Sequence, residues 1–114
     1  TLLNAAELIA VHGCKGKGSA DTYLNEVRTR AGLGAVGASL ESILHERHVE
    51  LMGEGKRYWD LVRLGQATTV LTPANDEGGF RTKAWTENKK YLPFPQSEMD
   101  ATASTQYPLT QNNY

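Results

Sequence analysis

The spacing of apolar residues predicts two helices at the start of the chain. Apolar side chains between Leu2 and Val11 lie too close together for a half-exposed strand, so they indicate a helix that is buried over much of its circumference. A glycine-rich stretch beginning at Gly13 ends it. A second helix is expected to begin at Ser19, whose hydroxyl can cap free backbone amides, and to end at Gly32. The short link between the two predicts an antiparallel helical hairpin.

A third and a fourth helix follow in the same pattern. The third is predicted to begin with Ser39 as its cap, and its apolar stripe consists of Leu40, Ile43, Leu44 and Leu51. Gly53 and Gly55 are expected to end or bend it. The fourth is predicted from Arg57 to Ala67. Its expected core residues are Tyr58, Trp59, Leu61 and Val62.

Beyond the fourth helix the apolar periodicity is lost. Residues 72–90 are rich in turn-forming side chains and are predicted to form a long loop, which in a compact domain is usually functional or mobile. Residues 92–95 are expected to be extended, because each proline disfavours the helical region for its predecessor. Ser97, followed by Asp100, predicts the start of one short helical turn. The expected fold class is all-α: a helical hairpin, two further helices, a long irregular loop and an extended C-terminal segment.

Charge and cysteine content exclude several classes of protein. The 12 Lys and Arg residues against 13 Asp and Glu give a formal net charge of -1, so a nucleic-acid partner is not expected. Cys14 is the single cysteine and cannot form an internal disulfide. A lipoprotein signal ending at Cys14 is disfavoured, because residues 1–10 lack Lys and Arg and contain Glu7. No stretch reaches the roughly 20 apolar residues that a membrane-spanning helix needs.

Two histidines invite a metal or catalytic interpretation that their spacing does not support. His45 and His48 flank Glu46 and are three residues apart, whereas the zinc-protease motif places its histidines four apart, and no third ligand stands at a recognisable distance. No GxSxG motif occurs, and Cys14 has only His12 near it in sequence. We therefore expect no metal, no cofactor and no catalytic residue.

Charged residues are concentrated on the third and fourth helices. One cluster comprises Arg47, Glu50 and Glu54, and the other comprises Arg57, Asp60 and Arg63. If the helices fold back about Gly55, the clusters can meet, either as an interhelical network of ion pairs or as a clamp for an anion or substrate. The network is favoured, because acids and bases are nearly balanced and an anion clamp should carry spare positive charge.

Aromatic residues in the predicted loop are the candidates for ligand contact. Trp85 lies in the irregular region with Phe80 before it and Tyr91 after it. A flat indole on a loop suits stacking against a sugar ring or a partner surface. The alternative is that Trp85 packs back onto its own domain. Trp85, Phe80 and Tyr91 are the candidate ligand-binding residues.

Four segments resemble the C-terminal region of SusD/RagB-type proteins in the order expected for that family. The central signature is formed by residues 46–51, ERHVEL, and 54–63, EGKRYWDLVR. Residues 23–33 resemble the preceding helix, residues 91–100 the family's proline-rich segment, and residues 109–112 its closing residues. Departures from the pattern are Leu64 in place of a frequent second tryptophan, Met52-Gly53 in place of a small residue and an aromatic, and a longer stretch at 102–108.

The resemblance implies that residues 1–114 are the C-terminal part of a SusD/RagB-like domain in a helical-repeat-containing superfamily. Such proteins are surface nutrient-binding lipoproteins of the Bacteroidetes outer membrane. They are not enzymes, and they work beside a SusC-like TonB-dependent transporter, for which they capture oligosaccharides or other nutrients. Their membrane attachment is a lipid anchor on the N-terminal part. Their ligand contacts come largely from loops outside this signature, so the resemblance transfers no binding residue to Trp85, Phe80 or Tyr91.

Two other functions remain as alternatives. A helical-repeat scaffold would bind proteins only, without any glycan. A hydrolase would use His45 or His48 as its catalytic group.

Overall fold

The computed structural model describes residues 1–112, and this part of the chain contains helices and irregular segments but no strand. The helices are α1 (Leu2–Ala10), α2 (Ala20–Arg30), α3 (Leu40–Glu50), α4 (Arg57–Arg63), α5 (Ala67–Val70) and α6 (Gln96–Thr102). Two short 3-10 turns, Pro73–Asn75 and Glu87–Lys90, interrupt the predicted loop. The all-α class is therefore confirmed. Within the same residues, no helix combines the length and the apolar character that crossing a bilayer demands.

The chain forms two compact units, Thr1–Asp60 and Leu61 onward, with the boundary inside α4. The first unit is built on the predicted α1–α2 hairpin, against which α3 packs. Its core is small and consists of Leu3, Ala6, Leu24, Val27 and Ile43. Burying each of the larger side chains contributes about 1.5–3 kcal/mol, so a few contacts carry the stability of this unit.

Serine caps begin two of the helices, as the sequence predicts. The Ser19 hydroxyl accepts a hydrogen bond from the Thr22 amide at 3.1 Å at the start of α2. At the start of α3, Ser39 accepts from the Ser42 amide at 3.1 Å, and Ser42 Oγ accepts from the Ser39 amide at 2.8 Å. The second arrangement is a reciprocal capping box, which satisfies two otherwise free amides.

Helix α1 is buried on one side only, so the prediction of burial over much of its circumference is wrong. Its buried residues are Leu3, Ala6 and Glu7, while Leu8 is half exposed. Among the described residues, α2 and α3 are the helices that pack extensively against it. The density of apolar residues predicts that a helix forms, but it does not show how many other helices pack against it.

Helix α4 is shorter than predicted. It ends at Arg63, where Gly65 adopts a φ of +67° and its amide donates to Val62 O at 3.2 Å. Only glycine adopts this left-handed conformation without strain, and it closes the helix as a C-terminal glycine cap. Ala67 then opens the separate short helix α5.

Trp59 is not a core residue: 49% of its surface is exposed. Its neighbours Asp60 and Leu61 take the buried positions of α4, and each step along a helix turns the side chain by about 100°. The indole instead meets the ring of Tyr58 edge to face, with 5.1 Å between ring centroids. The core assignment of Trp59 is therefore wrong.

The last helix begins slightly earlier than the sequence indicates. Helix α6 starts at Gln96, directly after Pro95, and has no side-chain cap, so Ser97 lies inside the helix. The carboxylate of Asp100 accepts a hydrogen bond from Gln96 Nε2 at 2.8 Å. Pro95 ends the extended segment, since its fixed φ suits the residue that precedes a helix.

Candidate functional site

The aromatic candidates lie in the second unit, in the segment between α5 and α6. The segment is fixed at its start by Asn75, whose side-chain amide donates to Thr69 O at 2.9 Å. The Trp85 amide donates to Leu71 O at 3.0 Å, so the chain returns to the end of α5. The segment is therefore a loop with defined hydrogen bonds at two points, although it has almost no regular structure.

Trp85 is buried, with 4% of its surface exposed. The indole therefore offers almost no surface to a ligand in this conformation. Ligand contact by Trp85 stays a prediction, and it would require the ring to move outward. The same burial makes Trp85 suited to fixing the loop that carries the exposed aromatics.

Phe80 is the most exposed of the candidates, at 91%. It follows a tight turn in which the Gly79 amide donates to Asp76 O at 3.0 Å and the Asp76 carboxylate accepts from the Arg81 amide. The ring lies over Gly78, where an added Cβ would stand 2.6 Å from two ring carbons. The Phe80 ring can take this position because residue 78 is a glycine and has no Cβ.

Tyr91 is 65% exposed and opens an extended segment of further exposed apolar residues. Gln111 holds this segment through both backbone groups of Phe94, accepting from its amide at 2.9 Å and donating to its carbonyl at 3.0 Å. Asn112 Nδ2 donates to Leu92 O at 2.8 Å. Gln111 and Asn112 thus hold the backbone of this segment, and its exposed side chains form a row: Tyr91, Leu92 and Phe94.

Two further aromatics of the second unit are exposed, Phe94 and Tyr107, and neither is among the candidates that the sequence predicts. The signal for Phe94 was present: two flanking prolines force an extended backbone, and an extended segment without a neighbouring strand leaves its side chains in solvent. Tyr107 lies in an irregular stretch, where no periodicity reports its exposure.

The charged residues of the first unit form ion pairs, and the interhelical contact predicted between α3 and α4 is present. Arg47 donates two hydrogen bonds to Asp60, at 2.8 and 3.1 Å, and all of these groups are buried. The guanidinium also donates to Asn4 Oδ1 at 2.6 Å and lies 3.9 Å from Glu7. A bidentate pair of this kind satisfies both charges away from water.

Two acidic residues of α3, Glu50 of the predicted clusters and Glu46 outside them, pair with arginines of α2. Glu50 accepts from Arg30 of α2, and the buried Glu46 accepts from Arg28 of α2 at 2.7 Å. Arg63 is exposed. Arg57 donates to the Leu44 carbonyl at 3.1 Å. The sequence predicted that α3 carries paired charges but assigned part of them to the wrong partner helix, because helix spacing alone does not show which neighbour a side chain faces.

The two histidines of α3 are exposed, and Glu46 between them is bound to Arg28. Among residues 1–112, no three side chains of His, Cys, Asp or Glu come together as a metal site. Partial burial, followed by the positive charges of Arg57 and His45, lowers the pKa of His48. Burial also lowers the pKa of Arg57, and Asp60 opposes that effect.

Comparisons with known proteins give a consistent result. The sequence profile of the SusD family matches residues 1–114. The structure is similar to surface glycan-binding protein A from Bacteroides thetaiotaomicron in complex with laminarihexaose, at 54% identity and a TM-score of 0.83 over 99% of this chain. It is similar to surface glycan-binding protein A from Bacteroides fluxus at 39% identity and a TM-score of 0.86 over 98% of this chain.

A curated SusD-like protein from Formosa agariphila is 54% identical over 33 residues, which are 29% of this chain and 7% of that protein. The chain spans 23% of the Bacteroides thetaiotaomicron protein and 25% of the Bacteroides fluxus protein, about a quarter of each. Since the family profile covers every residue, the chain belongs to the SusD family.

Proposed function

We propose that this chain is the C-terminal part of a surface protein that captures oligosaccharides without cleaving them. The observation that carries the proposal is the 54% identity, over 99% of the chain, to a surface glycan-binding protein whose structure contains laminarihexaose. That ligand belongs to the relative, and a β-glucan oligosaccharide is the class to be tested first.

Delivery to a membrane transporter is the second part of the proposal. A lipid anchor on a preceding segment would hold the protein at the outer-membrane surface, beside a SusC-like TonB-dependent transporter. Family membership supports this arrangement. Co-purification of the transporter with the tagged native protein, lost when the lipid-attachment signal of the preceding segment is removed, is the expected result.

Two exposed aromatics of the second unit, Phe80 and Tyr91, are proposed as the part of this chain that contacts the glycan. Phe80 and Tyr91 present their rings to solvent, and an aromatic face stacks on the C–H face of a sugar ring. Trp85 is proposed to contact ligand only if its buried ring moves outward. Since hot spots at interfaces are enriched in aromatic residues, single truncations should have measurable effects.

The test is calorimetric titration of laminarihexaose into the full-length protein and its variants. Phe80→Ala and Tyr91→Ala are each expected to weaken binding by about tenfold, equivalent to about 1.4 kcal/mol. Tyr107→Ala is the matched control, because Tyr107 is an aromatic outside this loop whose exposure, 81%, lies between those of Tyr91 and Phe80. Equal affinity in all variants would remove the loop from the binding site, and absence of any glycan binding would favour the protein-binding scaffold.

Absence of catalysis is tested on the same samples. Laminarihexaose incubated with the protein and separated chromatographically should be recovered intact. Release of shorter products that stops in His45→Gln or His48→Gln would instead support the hydrolase alternative.

A further inference from the structure

A cavity of about 430 Å³, broadly open to solvent, lies in the first unit, where the chain turns from α3 into α4. Its walls include His48 at the end of α3, Gly53 in the turn, and Lys56, Arg57 and Tyr58 at the start of α4. The volume is within the range of about 300–1,000 Å³ typical of small-molecule sites. It belongs to a different unit from the exposed aromatics of the glycan proposal.

The charges that line this cavity are all basic. Arg47 contributes to the wall but is neutralised by its bidentate contact with Asp60. Within the described residues, no carboxylate lies in ion-pair distance of Lys56 or Arg57, and no acidic side chain lines the cavity. Arg57 uses one donor on Leu44 O, which fixes the guanidinium and leaves its other N–H groups available.

The environment of His48 is consistent with this positive charge. Partial burial is the largest cause that lowers its pKa, and the charges of Arg57 and His45 lower it further. Arg57 and His48 both line the cavity, so the charge of Arg57 acts on a neighbour in the same wall.

We infer that this cavity binds a small organic anion, of about the size of one acidic sugar, through a carboxylate, sulfate or phosphate group held by Lys56 and Arg57. The guanidinium offers planar N–H donors to two oxygens of such a group, and Lys56 adds a mobile charge. His48, when protonated, supplies a third donor. Neither the family assignment nor the glycan proposal is needed for this inference, because it concerns charges in the first unit.

The experiment follows the His48 ring by proton NMR in the full chain, with His48→Gln for assignment. Sodium sulfate should raise the pKa of His48 more than sodium chloride at equal ionic strength, because a bound anion stabilises the imidazolium. Glucuronate should act in the same way, and glucose, which lacks the carboxylate, should not. The His12 resonance, outside the cavity, should not respond.

Lys56→Met is expected to weaken sulfate binding about tenfold, the loss typical of one charge-assisted hydrogen bond. Lys56→Glu should abolish it, and Lys17→Met, which removes an exposed lysine elsewhere in the same unit, should leave it unchanged. Since Lys56 is exposed, both variants should keep the wild-type unfolding midpoint. Equal responses to sulfate and chloride, or unchanged binding in Lys56→Glu, would overturn the inference. Its failure would leave laminarihexaose binding untouched.

Discussion

At the scale of single residues, burial separates the ion pairs of this chain into two kinds. The side chains of Arg47 and Asp60 are 8% and 6% exposed, whereas those of Arg30 and Glu50 are 66% and 35% exposed. Water and salt screen the second pair, and screened pairs contribute about 0–1 kcal/mol. The buried pair is different, because removing one partner leaves the opposite charge in a medium that solvates it poorly.

Arg47→Met should therefore lower the free energy of unfolding by about 3–5 kcal/mol, since it removes the cation that faces the buried carboxylates of Asp60 and Glu7. Arg30→Met is the control and should change it by about 1 kcal/mol or less. Urea denaturation measures both. Comparable losses in the two variants would show that burial does not distinguish the pairs.

His48 gives a pH dependence with a defined sign. Burial, Arg57 and His45 lower its pKa in the folded chain. As the pH falls through the unperturbed value of 6.5, His48 therefore takes up its proton more readily in the unfolded chain than in the folded chain. The free energy of unfolding should consequently rise as the pH increases toward and through 6.5. The effect is small because His48 is largely exposed. His48→Gln should reduce the rise measured in urea titrations, and an unchanged rise in this variant would contradict the assignment.

At the scale of elements, the sequence predicts where helices begin, but it does not predict which of their side chains other elements cover. The caps at Ser19 and Ser39 depend on atoms within three residues, so the pattern alone identifies both helix starts. The exposure of Trp59 depends on which side of α4 meets other elements, which a seven-residue helix does not reveal. In the candidate site, an irregular loop has no period to distinguish the buried Trp85 from the exposed Phe80.

The break between α4 and α5 provides a test of an element boundary. Gly65→Ala should destabilise the chain by about 1–2 kcal/mol, because its φ of +67° is strained for any residue with a Cβ, although space for the Cβ is free. Gly34→Ala is the control, since its φ is ordinary and its Cβ position is equally free. Thermal unfolding of the two variants measures the difference. A neutral Gly65→Ala would mean that α4 can continue through this position.

At the scale of the whole molecule, both units combine small cores with many exposed apolar side chains. Those of the first unit are Leu8, Leu33, Val36, Val49, Met52 and Trp59, and those of the second are Phe80, Tyr91, Leu92, Phe94, Tyr107 and Leu109. Isolated exposed apolar residues are ordinary, but contiguous ones form surfaces that recruit partners or ligands.

The 114-residue chain should therefore bind the dye ANS while it retains native near-ultraviolet circular dichroism. Met52→Gln with Val49→Gln should lower the fluorescence without lowering the unfolding midpoint, since both side chains are exposed. Loss of the near-ultraviolet signal in the wild type would attribute dye binding to loosened packing instead.

The contact between Gln111 and Phe94 has a consequence for solubility. One carboxamide supplies the acceptor and the donor that a neighbouring β-strand would supply to the same backbone groups. An extended segment with apolar side chains and unpaired backbone groups can pair with the same segment of another molecule, as an exposed edge strand does. By occupying both groups, Gln111 blocks strand pairing at Phe94 while the side chains of Tyr91 and Phe94 stay exposed.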